Sequence, residues 1–309
     1  MIKIQNVKKF NFFFALFYLS LGAYAQTAPI VSASPAFAQA DDPYYPYATL
    51  PSGPHQGERV PVEFRRSIQI LHKDADSTVT VANFAHNDSY YLAKIPLKGL
   101  EKIIFQIDYF SGSIPAAHSE IRLRFRDDSP ILLYPQLKSE ENKSAVAIHE
   151  AVFSIEAVKS ESTALSFMKG FGKNYAVAYR FISMKQKHHD LVELAKERVT
   201  QYELNLSEAD REAILTEAIE TSDRVGVSQF YNTWKRNCTT ELIRIIDNAV
   251  PMAAWRVVLR PVTFVGAHYP VFVRSTLRSR GLLGDELPVF DQDPSVDVKE
   301  TALPSVTLK

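Results

Sequence analysis

The chain has 309 residues, enough to bury a sizeable core and to form one or two domains. Its 35 basic and 35 acidic residues balance, and no large basic block is present, which argues against nucleic acid as a partner. A composition 46% hydrophobic and 11% aromatic is that of an ordinary globular domain.

Lys3, Lys8 and Lys9 precede an apolar run from Phe10 to Tyr24, which ends in the small residues Ala23 and Ala25. A basic start, an apolar stretch of about 15 residues and a small-x-small end describe a secretory signal peptide over residues 1–25. Cleavage is expected after Ala25, with Ala36-Phe-Ala38 as a second site and an uncleaved anchor as the rival reading. No cysteine follows closely, which excludes lipid attachment there. No later stretch is apolar enough for a transmembrane bundle, so membrane contact is expected to be peripheral at most. Removing residues 1–25 leaves 32 basic and 35 acidic residues, and the mature chain reads as a periplasmic protein.

Residues 26–60, with Asp41-Asp-Pro-Tyr-Tyr-Pro-Tyr47 and Pro51-Ser-Gly-Pro54, read as a Pro/Ala/Tyr-rich leader rather than a folded unit. The folded domain is expected over residues 61–287. Its first half is rich in strand signals: Thr78–Phe84, Tyr90–Ile95, Lys102–Tyr109, Ile121–Phe125, Ile131–Tyr134, Val146–Ile155 and Tyr175–Ile182. After residue 186 the period becomes helical. A helix is expected over His189–Glu203, and another after Ser207, whose stripe is Ile214, Leu215, Ala218 and Ile219. A third begins at the cysteine, and a fourth spans Val271–Arg280, closed by Gly281. Residues 288–309 read as a flexible tail. Strands first and helices later predict an α+β fold, with no internal repeat.

Cys238 is the only cysteine, in Gln229-Phe-Tyr-Asn-Thr-Trp-Lys-Arg-Asn-Cys-Thr-Thr240. Leu242, Ile243, Ile245 and Ile246 follow at amphipathic-helix spacing, and Thr239 and Thr240 are cap candidates. Cys238 then sits at a helix N-terminus, where free amides and the helix dipole lower a thiol pKa. The bland reading is a buried core cysteine. Export sharpens the choice, because a lone cysteine has no partner in its own chain and an exposed free thiol is a liability outside the cell.

A thiol nucleophile needs a base. Among eight histidines, His188 and His189 read as a solvated helix start; His55 lies in the leader, and His72, His86 and His268 lie near loops or strand ends. None has metal-ligand spacing, so no metal and no cofactor is expected. His149 sits inside a strand pattern. His118 follows the turn-like Ser111-Gly-Ser-Ile-Pro115 and opens a strand, which makes it the preferred base.

Phe230-Tyr-Asn-Thr-x-x-Arg-Asn-Cys-Thr-Thr240 resembles the signature of the DUF4105 family, also called the Lnb N-terminal periplasmic domain. Ala117-His118 with the strand to Phe125, and Phe153-Ser-Ile-Glu156 with Gly170-Phe171 and Tyr175–Tyr179, resemble two further blocks of that family. The likeness covers roughly residues 60–285. Ala157-Val158-Lys159 departs from it, because a basic residue is expected nearer to Glu156. The resemblance implies a circularly permuted papain-like (NlpC/P60-like) domain, an antiparallel sheet packed against helices, with Cys238 as nucleophile and His118 as base. It also implies acyl transfer through a thioester, on a lipid or lipoprotein acyl group. Related enzymes carry a membrane-embedded portion that has no counterpart here after the signal. Glu120, Glu156 and Asn237 are candidates to orient His118 or polarise the substrate, although each also has an ordinary reading as a surface or capping residue. Tyr231 and Trp234 read as packing residues or as the wall of an acyl groove. The rival readings are a peptidoglycan amidase or peptidase with the same dyad, acting on a cell-wall peptide, and a non-catalytic periplasmic binding or assembly module.

Overall fold

A computed structural model of the chain describes residues 41–46, 49–50, 53–61, 65–110, 117–164, 168–226, 228–250 and 272–303. The proposed signal peptide, the second cleavage site, Ser111–Pro115 and His268 lie outside these residues. The β-branched, alternating runs become strands β1 (Gln69–Lys73), β2 (Thr78–His86), β3 (Ser89–Pro96), β4 (Leu100–Tyr109), β5 (Ala117–Phe125) and β6 (Ile131–Pro135). They continue as β7 (Val146–Ile148), β8 (Glu150–Lys159) and β9 (Tyr175–Ser183). A short helix α1 (Met184–His188) and a π-helical turn (His189–Ala195) lead to β10 (Arg198–Leu204). Helices α2 (Glu208–Val225), α3 (Cys238–Ala249) and α4 (Val273–Arg280) follow, with short strands β11 (Leu283–Leu287) and β12 (Thr301–Ala302) after them. This is an α+β architecture.

The strands form one sheet in the order β11-β10-β4-β5-β8-β9-β2-β3-β6-β7-β12, with β1 attached to β2. Among the described pairings between strands, only β2 with β9 is parallel, meeting at Ala85 and Ile182. Period-2 alternation sends Ile121, Leu123 and Phe125 of β5, and Ala151, Phe153 and Ile155 of β8, into one core with α2 and α3. On α3, Leu242, Ile243, Ile245 and Ile246 are each at most 2% exposed. Burying each of these side chains contributes about 1.5–3 kcal/mol, which fixes the helix against the sheet.

The opposite face is smaller and more polar. Val152, Met184, Leu191, Val199 and Phe290 cluster there. Beside them Arg122 is fully buried and grips Glu150 with two charge-assisted hydrogen bonds, Nε to Oε2 at 2.9 Å and Nη2 to Oε1 at 2.7 Å. Its Nη1 also donates to Asp293 Oδ2 at 2.8 Å.

Four expectations change. His189–Glu203 is not one helix: the π-helical turn ends at Lys196, in the left-handed region at φ 53°, and β10 begins at Arg198. Tertiary pairing decides this, because β10 lies between β4 and β11, and Val199, Tyr202 and Leu204 fill buried sites. The run Val146–Ile155 is broken at His149. Residues 288–303 are packed rather than loose. Phe290 and Asp293 are buried, the Ser295 carbonyl accepts from Arg122 at 2.7 Å, and β12 pairs with β7. Finally, part of the leader joins the domain: Asp42 is 2% exposed, pairs with Arg66 and accepts from Gln136 Nε2 at 2.8 Å.

Candidate active site

Strands β5 and β8 part company at one place. Their pairing runs from Arg124 opposite Glu150 to Glu120 opposite Ser154 and stops. β5 continues against β4 to Ala117, and β8 continues against β9 to Lys159. Phe125 donates its amide to the His149 carbonyl at 2.8 Å, so the odd-numbered amides of β5 point toward β8. Ser119 is the first of these beyond the last pair. Its N–H donates to Cys238 Sγ at 3.4 Å instead of to β8. The start of α3 is thus inserted at a split in the sheet.

The helix start is held from several sides. Asn237, not Thr239 or Thr240, is the N-cap: its side chain accepts from the Thr240 amide at 2.9 Å, and the Thr240 hydroxyl accepts from the Asn237 amide at 2.8 Å. This reciprocal cap satisfies two orphan donors and places Cys238 at the first helical position. Thr239 Oγ1 lies 2.9 Å from Ser119 Oγ, and Tyr179 donates to Glu241 Oε2 at 2.8 Å. Of the first two helical amides, that of Cys238 acts on its own thiol and on the Tyr231 phenol, and that of Thr239 acts on the thiol.

Cys238 is 4% exposed, and burial pushes its thiol above the ordinary range. The amides of Ser119, Thr239 and Cys238 pull the other way without overcoming it. The helix-terminal effect expected from the sequence is present, but desolvation outweighs it. The Tyr231 phenol is close enough to matter: it is raised well above its usual value, by burial first and by Cys238 next.

His118 stands on β5 one residue before Ser119, with its side chain on the opposite face of the strand. Its Nε2 is 2.7 Å from Ser154 Oγ and 3.8 Å from Glu120 Oε2. Among the described residues no hydrogen bond joins His118 to Cys238. Burial, and then the Lys187 ammonium, push His118 down to about 3, so it is neutral at neutral pH. Ser154 in turn donates to Glu156 Oε1 at 3.4 Å. Burial alone would raise Glu156, but Arg180 and Arg65, each 2.9 Å away, together with Lys187, hold its carboxyl far below the usual range. The basic partners missing after Glu156 in the sequence thus come from β9 and from the segment before β1. Glu120 is fully buried and meets Lys187 Nζ at 2.7 Å; burial pushes its carboxyl up against the pull of that ammonium. Asp108, across from His118 on β4, is pushed up to about 9 by burial and by its hydrogen bond to Glu197.

Of the residues singled out in the sequence, Cys238, His118, Glu120, Glu156 and Tyr231 gather around the split, and Asn237 serves the helix end. His149 stands at the far end, beside Phe125, six residues from Ser119 or roughly 20 Å along the strand. Ser154, Asp108, Lys187, Arg65 and Arg180 were not singled out. Ser154 lies inside the block Phe153-Ser-Ile-Glu156, but only the strand pairing brings it to His118. Two loops flank the helix start. Thr233 donates its amide to the Gly170 carbonyl at 2.8 Å, and Asn232 Nδ2 donates to the Phe171 carbonyl at 2.8 Å. These loops expose Met168, Phe171 and Trp234. Among the described residues no group of three His, Cys, Asp or Glu is arranged to hold a metal ion, and no helix is long and apolar enough to cross a membrane.

The model of the Lnb N-terminal periplasmic domain family matches residues 86–277, which include β5, the split and α3. No curated protein and no solved structure matches the chain significantly.

Proposed function

This chain belongs to the Lnb N-terminal periplasmic domain family, and from that premise we propose that it is a cysteine-dependent acyltransferase or hydrolase of the periplasm. It would be delivered there by the signal peptide over residues 1–25. The observation that carries the reading is the Ser119 amide bonded to Cys238 Sγ at the sheet split, one residue from His118. A cysteine at a helix start, packed on an antiparallel sheet beside a histidine-bearing strand, also supports the circularly permuted papain-like reading of the fold.

In the proposed reaction His118 takes the proton of Cys238, and the sulfur attacks an ester or amide carbonyl. The carbonyl oxygen becomes an oxyanion facing the amides of Cys238 and Thr239 at the helix start, which the Asn237 cap preorganises. Imidazolium returns the proton to the departing alcohol or amine, leaving a thioester on Cys238. Water, an alcohol or an amine then accepts the acyl group by the reverse proton path. A raised thiol and a depressed imidazole mean that the resting pair is neutral, so proton transfer accompanies attack rather than preceding it. Glu120 and Glu156 place negative charge near the imidazolium as it forms. The exposed Met168, Phe171 and Trp234 beside the helix start support an apolar, lipid-type acyl donor over a cell-wall peptide.

The burial of Cys238 and the missing His118–Cys238 hydrogen bond favour a second reading, a binding module in which the thiol is a packing group. Iodoacetamide labelling of Cys238 against pH separates the two, in the mature protein and in His118→Ala. An activated pair labels faster than an ordinary thiol and slows in the variant. Slow labelling that ignores the substitution would leave the binding module.

A further inference from the structure

The hydrogen bonds around His118 carry more than proximity. Ser154 Oγ lies between two groups, His118 Nε2 at 2.7 Å and Glu156 Oε1 at 3.4 Å. Glu156 is gripped by Arg65 and Arg180 and stays ionised, so it can only accept. The single hydroxyl proton of Ser154 therefore points to Glu156, and its oxygen lone pairs face the imidazole. A neutral imidazole has one N–H and one lone pair, and here the N–H must sit on Nε2 to donate to Ser154. That leaves the lone pair on Nδ1, which makes no hydrogen bond among the described residues. Nδ1 is also the ring nitrogen nearer the histidine's own backbone, and the Cys238 sulfur rests on the next residue's amide.

Building on the proposed dyad, we infer that Ser154 is the positioning residue of this site: with Glu156 behind it, it fixes His118 as the Nε2–H tautomer, so that Nδ1 is the atom that accepts the Cys238 proton. When Nδ1 takes that proton the ring becomes a cation, and the Nε2–H bond to Ser154 and the carboxylate beyond it strengthens. Oriented this way, the ring also resists rotation about χ2, which would exchange the two nitrogens. Ser154 is 0% exposed, so it acts through His118. The charged groups facing this ring come from every side: Glu120 and Lys187, Glu156 with Arg65 and Arg180, and Asp108 across the strand.

The test reads the tautomer directly. In the mature protein labelled with [15N]histidine, long-range 1H–15N correlations at pH 7 are expected to show His118 with a protonated Nε2 and a bare Nδ1. Ser154→Ala should blur that signature and slow Cys238 alkylation by about tenfold or more, part of the roughly 10²–10⁴ that a general base supplies. Ser154→Thr, which restores the hydroxyl, should return both. A protonated Nδ1 in the wild type overturns the inference, as does a Ser154→Ala protein that keeps both tautomer and labelling rate. The wild-type spectrum decides even where Ser154→Ala fails to fold. Labelling that ignores His118→Ala would instead sink the dyad, a failure that the nitrogen shifts distinguish.

Discussion

Ser119 gives its backbone amide to the sulfur of Cys238 at 3.4 Å, where the ladder between β5 and β8 has just ended. A cross-strand hydrogen bond is replaced by one to a helix-terminal thiol. The geometry of everything around the candidate site follows from that substitution, and the cap that aims the helix is its first testable part.

Asn237 uses both ends of its side chain, accepting from the Thr240 amide at 2.9 Å and donating to the Thr233 carbonyl at 2.8 Å. Asn237→Ala should cost about 1–2 kcal/mol, seen as a lower midpoint in urea. Asn237→Asp keeps the cap and should recover most of that loss. If Asn237→Ala leaves the midpoint unchanged, the cap does not hold the helix start.

The loop pair beside the site depends on a missing side chain. A Cβ on Gly170 would collide with Thr233 Oγ1. Gly170→Ala should destabilise by about 1–3 kcal/mol, the usual range for overpacking. Adding Thr233→Ala should return much of it, a coupling that a double-mutant cycle measures. Additive effects would mean that the loops are not in contact.

Arg122 is the keystone of the second face. Arg122→Met leaves Glu150 and Asp293 without their buried counter-charge, and about 3–5 kcal/mol should be lost. Deleting residues 288–309 removes Asp293 and the Ser295 carbonyl together and should lower stability as well. A truncated protein as stable as the intact one would show that this segment only lies on the sheet.

Asp108 makes stability depend on pH. Its folded pKa is about 9 against an ordinary 3.8, so between those values the folded chain binds the extra proton. Stability is then full at low pH and falls as pH rises toward 9, by up to about 1.4 kcal/mol per unit. His118 acts in the opposite sense: depressed to about 3, it contributes stability above pH 6.5 that is lost as pH falls. The buried Cys238 thiol, raised by burial, bends stability the same way near pH ~8.5, so the difference between the wild type and Asp108→Asn between pH 7 and 9 isolates the aspartate. Asp108→Asn should flatten that slope and be the more stable protein at pH 9; parallel curves for the two proteins would refute it.

How much of this was legible in the chain depends on the range of the forces involved. The period-2 runs Thr78–Phe84 and Ile121–Phe125 announce strands, and the spacing Leu242, Ile243, Ile245, Ile246 announces a helix. In each the pattern is local and the buried face is continuous. The Asn-Cys-Thr-Thr stretch points to Cys238 and, through the family, to His118. Val199 continues the helical stripe of Leu191, Leu194 and Ala195, and only pairing with β4 and β11 makes its segment a strand. Residues 288–303 look loose because their partners, Arg122 and β7, lie far earlier in the chain. The same holds at the site. Composition and motif determined that this chain has one thiol at a helix start and a histidine at a strand start. Only the tertiary structure decided that Ser154, Glu156, Arg65 and Arg180 stand behind that histidine, and that burial would raise the thiol rather than lower it. Hydrogen-bond direction and desolvation depend on which strands are neighbours, and a linear sequence does not contain that neighbourhood.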